Sequence, residues 1–292
     1  MFEAFEKGDH KIIWGDALGV LAEQISDCSA DLIFADPPYN IGKNFNGRKD
    51  KWDSDEQYVK WCYQWLDLCI NKLKPTGSMY VMAATQSMPY FDLYLRTKLH
   101  ILSRIVWCYD SSGVQAKRYF GSLYEPILFC VKDKKQYTFN GDEILVEAKT
   151  GAERRLIDYR KPTPTLYNTK KVPGNVWDIP RVRYRMDEYE NHPTQKPVAL
   201  LERIILASSN PGDLVLDPFS GTFTTSFVAK QLGRRSIGIE IEEEYIKIGL
   251  RRLQLLTHYH GVELQREPKI YEKPPETQMH LLEHIDDEYD GT

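Results

Sequence analysis

Short β-rich runs alternate with amphipathic stretches toward both ends of this chain, and no other feature limits its fold as tightly. Residues 11–14, 31–35, 78–82, 213–217 and 236–241 have the length and apolar composition of buried strands. Residues 18–25, 58–73, 198–207, 223–232 and 243–255 carry apolar side chains at helical spacing. Strands that alternate with helices predict an α/β class: a doubly wound, mainly parallel sheet with helices on both faces. Between the two alternating regions, residues 133–190 keep no such period and are rich in Pro, Tyr, Asn and basic residues, including Arg160-Lys161-Pro162-Thr163-Pro164. That stretch predicts a separate, loop-rich module, and no internal repeat suggests a solenoid.

A chain of 292 residues, 42% hydrophobic, can bury one large core and still carry a smaller module. No apolar run approaches the roughly 18 to 20 residues of a membrane span. The opening Met1-Phe2-Glu3-Ala4-Phe5-Glu6 lacks the basic-then-apolar form of a signal peptide, so the expected location is the cytoplasm. Cys28, Cys62, Cys69, Cys108 and Cys130 form no C-x-x-C pair and read as reduced core thiols. His258 and His260 lack a third ligand within sequence reach, so no metal site is expected.

The net charge of -4 conceals an uneven distribution. Residues 149–185 hold ten Lys or Arg against three acids, an excess of seven, which leaves -11 for the rest of the chain. Much of that negative charge lies in Glu283, Asp286, Asp287, Glu288 and Asp290, which predict a disordered acidic tail over residues 263–292. A basic segment within an acidic protein is the electrostatic pattern of nucleic-acid binding, although a solvated loop would look the same.

The strand Asp31-Leu32-Ile33-Phe34-Ala35 runs directly into Asp36-Pro37-Pro38-Tyr39. Two prolines end the ladder, so the acid and the ring are expected at the strand's carboxyl edge, where open α/β sheets bind ligands. A plain Asp-Pro turn with a buried tyrosine is the other reading. The chemistry suits an exocyclic amino group on a nucleobase, a poor nucleophile because its lone pair is delocalised into the ring. A carboxylate from Asp36 and the Pro37 carbonyl could accept its two N–H bonds and free that lone pair, while Tyr39 stacked on the base.

Toward the other end, the strand at residues 213–217 leads into Pro218-Phe219-Ser220-Gly221-Thr222-Phe223-Thr224-Thr225. A glycine turn followed by hydroxyl residues suits a helix N-terminus, whose free N–H groups and dipole attract a carboxylate. The next strand ends in Glu240, placed as an acid that would accept hydrogen bonds from ribose hydroxyls. There are too few glycines here for a dinucleotide fingerprint.

In this order the motifs resemble the β class of amino-methyltransferases, in which the catalytic tetrapeptide precedes the cofactor loop and a target-recognition region lies between them. Asp36 to Tyr39 resemble the catalytic motif, and Asp217 to Thr225 the cofactor loop. His192-Pro193-Thr194-Gln195-Lys196-Pro197 resembles the segment leading into the first helix of the cofactor site. Asn175-Val176-Trp177-Asp178-Ile179-Pro180 is similar to the tract closing the recognition region. The resemblance implies a Rossmann-like methyltransferase sheet in circularly permuted order, with residues 1–132 the catalytic half, 133–190 the recognition region and 191–262 the cofactor half. It implies S-adenosylmethionine as cofactor, held by Asp16, Lys196, Asp217, Phe219, Ser220, Gly221, Thr224, Thr225 and Glu240, with Asp36, Pro37, Pro38 and Tyr39 catalytic. Asp16 also fits a helix cap for residues 18–25. The partner implied is double-stranded DNA, with a homodimer and a cognate restriction enzyme as further possibilities.

Asp rather than Ser at the head of the tetrapeptide leans toward adenine over cytosine N4. RNA or protein methylation is the alternative within the chemistry, and a DNA-binding protein with a vestigial cofactor fold the alternative outside it. Val114-Gln115-Ala116-Lys117 together with residues 192–197 is similar to enzymes of six-base palindromes such as ATGCAT. The family's usual glycine is replaced by Phe223, which either holds the helix away from the methionyl group or packs against the cofactor. Lys43, Asn44, Asn46, Arg48 and Lys49 read as a DNA-contacting or a solvated loop, and Trp61 with Trp65 as core. Of the aromatics in residues 104–109, the resemblance sets one against an extruded base, with core packing the other reading.

Overall fold

The computed structural model describes residues 2–45, 47–110, 117–148, 157–160, 162–166 and 168–266. Its centre is one nine-stranded sheet. In chain order the strands are β1 (Glu3–Lys7), β2 (His10–Trp14), β3 (Ala30–Ala35), β4 (Leu73–Met82), β5 (His100–Cys108), β6 (Tyr124–Val131), β7 (Val176–Asp178), β8 (Leu214–Asp217) and β9 (Arg235–Glu240). Across the sheet they run β1-β2-β9-β8-β3-β4-β6-β5-β7, and only β1 and β6 oppose the common direction. The helices are α1 (Ala17–Glu23), α2 (Asp55–Lys72), α3 (Met88–Leu95), α4 (Val198–Ser208), α5 (Thr224–Gln231) and α6 (Glu243–Arg252).

Alternation along β3 shows how the two layers are built. Ile33 and Ala35 pack into the cluster formed with α1, α2 and α3, while Leu32 and Phe34 pack into the one formed with α4 and α5. All four are essentially inaccessible, as a strand buried on both faces requires. A third cluster joins α6 to Ile12 and Phe223. Local signals start the longest helix: the Ser54 hydroxyl caps α2 by accepting the Gln57 N–H at 3.3 Å, and Asp55 and Glu56 occupy its first turn.

The chain turns in one direction from β3 through α2 to β4, and in the opposite direction from β8 through α5 to β9. Adjacent β3 and β8 therefore flank a topological switch point, which opens a crevice beyond their carboxyl ends. The strands and helices expected from the sequence are present within one to three residues, except that β4 begins five residues before the expected 78–82. Residues 133–190 hold short paired strands at Val146–Glu147 with Lys170–Lys171 and at Ile157–Asp158 with Thr165–Leu166, and they also supply β7 to the main sheet. Of the tail expected over residues 263–292, residues 267–292 lie outside the described residues, as do Asn46, Val114, Gln115, Ala116, Lys149, Arg154, Arg155 and Lys161, while Glu263 pairs in a short strand with His258. Among the described residues no helix is long and apolar enough to cross a membrane.

Candidate active site

Strand β3 ends at Ala35 because Pro37 and Pro38 have no N–H to continue the ladder. The turn is pinned from two sides. Tyr58 of α2 donates its hydroxyl to the Pro38 carbonyl at 2.9 Å, and the Tyr39 N–H donates to Asp50 Oδ2 at 3.2 Å. Asp36 thereby projects from the sheet edge into a cluster of charged groups. The Tyr39 hydroxyl lies 2.7 Å from Asp36 Oδ1 and 2.9 Å from Glu125 Oε2. Lys196 Nζ lies 2.6 Å from Asp36 Oδ2, 3.4 Å from Glu125 Oε2 and 5.4 Å from the centre of the Tyr39 ring. Tyr109 donates to the other Glu125 oxygen at 3.2 Å, and Arg181 lies over the Tyr109 ring at 4.7 Å.

Burial and charge compete within this cluster. Burial raises the Asp36 carboxyl above the usual aspartate value, only partly offset by Lys196. Glu125 feels the same burial, but Lys196 and the hydroxyls of Tyr39 and Tyr109 outweigh it and hold the carboxyl below its usual value. Burial disfavours the Lys196 ammonium, yet its two carboxylate neighbours keep it above the usual lysine value.

The adjoining half is built by β8 and β9. Asp217 ends β8; its Oδ1 accepts the Phe219 N–H at 3.0 Å, and the Ser220 hydroxyl donates to its carbonyl at 3.0 Å. Glu240 ends β9 and accepts backbone N–H groups from Gly221, Ile241 and Glu242 at 2.8, 2.8 and 2.9 Å. Burial pushes both carboxyls up to about 7. Gly221 has φ +50°, and a Cβ there would lie 3.1 Å from His192 Nε2, so backbone and space both favour glycine. Burial pushes the His192 imidazole down to about 3 and keeps it neutral. It packs edge-on against Tyr245 at 4.5 Å and near Phe45 at 5.5 Å.

Every residue read from the sequence as catalytic or cofactor-binding borders one cavity of about 450 Å³. That volume and mixed lining suit a ligand of nucleoside size. Asp16 is both lining and cap: its Oδ2 accepts the Gly19 N–H at 3.1 Å. Lys196 borders the cavity with its ammonium on the Asp36 carboxylate. Phe223 does not border it; the ring is fully buried beneath α6, next to Gly238 and Gly249. Trp65 is core, whereas Trp61 is only partly buried and reaches the cavity. Trp107 is core and donates to the Ile179 carbonyl at 2.8 Å, which leaves Tyr109, just past the end of β5, as the aromatic that reaches Glu125. Lys43, Arg48 and Lys49 border the cavity, with Arg48 3.7 Å from Glu242. Glu125 was missed by sequence reasoning. The one signal was an acid heading the apolar run of β6, beside Pro126.

A family model described as DNA methylase, of the N6/N4 methyltransferases, matches residues 30–251. The chain belongs to this family. A DNA adenine methyltransferase of Escherichia coli strain K12, YhdJ, is 63% identical to this methyltransferase over 258 residues, covering 88% of this chain and 87% of that protein. The Type II methyltransferase M.HpaI of Haemophilus parainfluenzae is 34% identical over 284 residues, covering 95% and 85%. Among solved structures, the M1.HpyAVI–SAM complex superposes with a TM-score of 0.57 at 25% identity, covering 84% of this chain and 98% of that one.

Proposed function

We propose that this methyltransferase modifies the exocyclic N6 of adenine at a specific site in duplex DNA, with S-adenosylmethionine as methyl donor. The observation that carries the reading is the convergence of Asp36 and Asp217, from neighbouring strand ends, on one cavity. Family membership supports DNA as substrate, and the relative from E. coli supports adenine. Residues 1–132 and 191–262 serve as the catalytic and cofactor halves, and residues 133–190 as the recognition region.

S-adenosylmethionine fits the donors present and supplies an electrophilic methyl group on a sulfonium. Glu240 would accept from the ribose hydroxyls, Asp16 would hold the adenine, and Asp217 with Phe219, Ser220, Gly221, Thr224 and Thr225 would hold the methionyl end. The target base must leave the duplex, at a cost of a few kcal/mol that stacking on Tyr39 partly offsets. Asp36 and the Pro37 carbonyl then accept the two amino N–H bonds, which localises the nitrogen lone pair. Asp36 is also the base in reach of the proton that the amino group sheds when it gains the methyl.

The recognition site inferred from residues 114–117 and 192–197 is a six-base palindrome such as ATGCAT. A homodimer and a cognate restriction enzyme complete the reading. The exposed apolar side chains of Tyr90, Leu93, Tyr119 and Phe120 support the dimer, and the Type II relatives support the restriction partner.

Sequencing methylated DNA from a host with no other adenine methylation tests base and site together. Wild-type protein is expected to leave N6-methyladenine at one short motif. Asp36→Ala should lower the single-turnover rate about a hundredfold or more, roughly 2.7 kcal/mol, with cofactor affinity little changed. Asp36→Asn should retain more activity than Ala. A near-normal rate for Asp36→Ala would reduce the tetrapeptide to a structural turn.

A further inference from the structure

Asp36 is already in contact with a strong hydrogen-bond donor. Lys196 Nζ sits 2.6 Å from Oδ2, and its distance of 5.4 Å from the centre of the Tyr39 ring is that of a substituent at the edge of a group stacked on that ring. The ammonium therefore stands where the target amino group has to go. A charge-assisted N–H bond to a carboxylate outcompetes a neutral amine for the same acceptor, so the base cannot take this position while Lys196 holds it. The lysine is buried, with 7% of its side chain accessible, and so it cannot simply swing into water. It needs another anion within reach.

Glu125 is that anion. One of its oxygens lies 3.4 Å from Nζ, and the Tyr39 and Tyr109 hydroxyls fix the carboxylate in place. The groups around it are Asp36, Tyr39, Tyr109 and Lys196, with Lys43 and Arg181 as further cations nearby. Two carboxylates sharing one ammonium is an expensive arrangement for stability alone, because like charges in a partly dehydrated site repel.

We propose that Glu125 is a positioning residue that receives the Lys196 ammonium when the target amino group replaces it on Asp36. Lys196 moves a short way between two carboxylates without leaving the site. Asp36 stays ionised at the moment it must accept the amino N–H. This rests on the reading of Asp36 as the amino-group acceptor. It also sets Lys196 apart from the cofactor-binding role that its motif implies.

The test is single-turnover methylation of a duplex containing the sequenced target site, by wild type, Glu125→Gln, Lys196→Met and the double variant. Rates are followed against pH, and S-adenosylmethionine affinity is measured by calorimetry. Glu125→Gln strands Lys196 on Asp36, so the rate should fall about tenfold or more while cofactor affinity stays within about twofold. Lys196→Met leaves two adjacent carboxylates without their cation, so the acid limb of its rate profile should move about one pH unit or more upward. Removing both charges abolishes the competition, and the double variant should be faster than Glu125→Gln.

Wild-type rate and pH profile in Glu125→Gln would overturn the proposal, as would a double variant no faster than Glu125→Gln. Should Glu125→Gln fail to fold, the Lys196→Met profile decides, and an unmoved acid limb refutes the role. Absence of N6-methyladenine with wild-type enzyme would instead overturn the proposed function itself.

Discussion

Two carboxyls that line the cavity, Asp217 and Glu240, are pushed up to about 7 by burial. Below that pH the protonated form dominates before the cofactor binds, and a protonated carboxyl is a weaker acceptor for ribose hydroxyls and offers no charge to a sulfonium. Cofactor binding favours the ionised form, so affinity should rise as pH increases through about 7 and level off above it. One such group gives about tenfold tighter binding at pH 8 than at pH 6. Calorimetry in buffers of different ionisation enthalpy would show proton release on binding near neutrality; affinity flat from pH 6 to 8 would mean that neither acid meets the ligand. Glu240→Ala should weaken binding by about 1.5 to 3 kcal/mol, the range for a charge-assisted hydrogen bond. Part of that loss comes from the backbone N–H groups of Gly221, Ile241 and Glu242, which lose their acceptor.

At the scale of elements, the start of α5 balances strain against packing. Phe223, just before the helix, has φ +58°, a left-handed conformation that costs a residue with a Cβ about 1 to 2 kcal/mol. Its ring fills the space left by Gly238 of β9 and Gly249 of α6, and truncating such a buried ring costs about 3 to 5 kcal/mol. Packing wins, so Phe223→Gly should destabilise the fold by about 2 kcal/mol in urea unfolding despite relieving the backbone. Cofactor affinity in the folded variant should change little, because the ring does not border the cavity. A variant more stable than wild type would show that strain exceeds packing here.

Across the whole molecule, the basic segment is tied to the catalytic edge. β7 pairs in parallel with β5 and leads directly to Arg181, Arg183 and Arg185, all exposed. Arg181 lies on Tyr109, and Arg183 donates to the Asp110 carbonyl at 3.2 Å. Positive charge thus lines the approach to Glu125 and Asp36. Neutralising the three arginines together should weaken DNA binding and flatten the log–log salt dependence by about 0.9 per lost phosphate contact. Fluorescence anisotropy of a labelled duplex across a salt series reads this directly, and an unchanged slope would assign the arginines a structural role.

The parallel strands, their covering helices and the two motif loops were legible in the sequence, because burial on both faces, helical spacing and proline or glycine turns are local signals. β1 was not: only Ala4 and Phe5 are apolar in Glu3–Lys7, and the strand forms because it pairs with β2 at the sheet edge. β6 runs against its neighbours β4 and β5, a direction that no local pattern encodes. The sequence by itself determined where the candidate acids fall: Asp36 directly after one buried strand, Asp217 and Glu240 at the ends of two others. Only the tertiary structure decided what stands beside them. It set Lys196 and Glu125 against Asp36 from distant parts of the chain, and it turned Phe223 into the core, because such contacts depend on strand order and the space between layers.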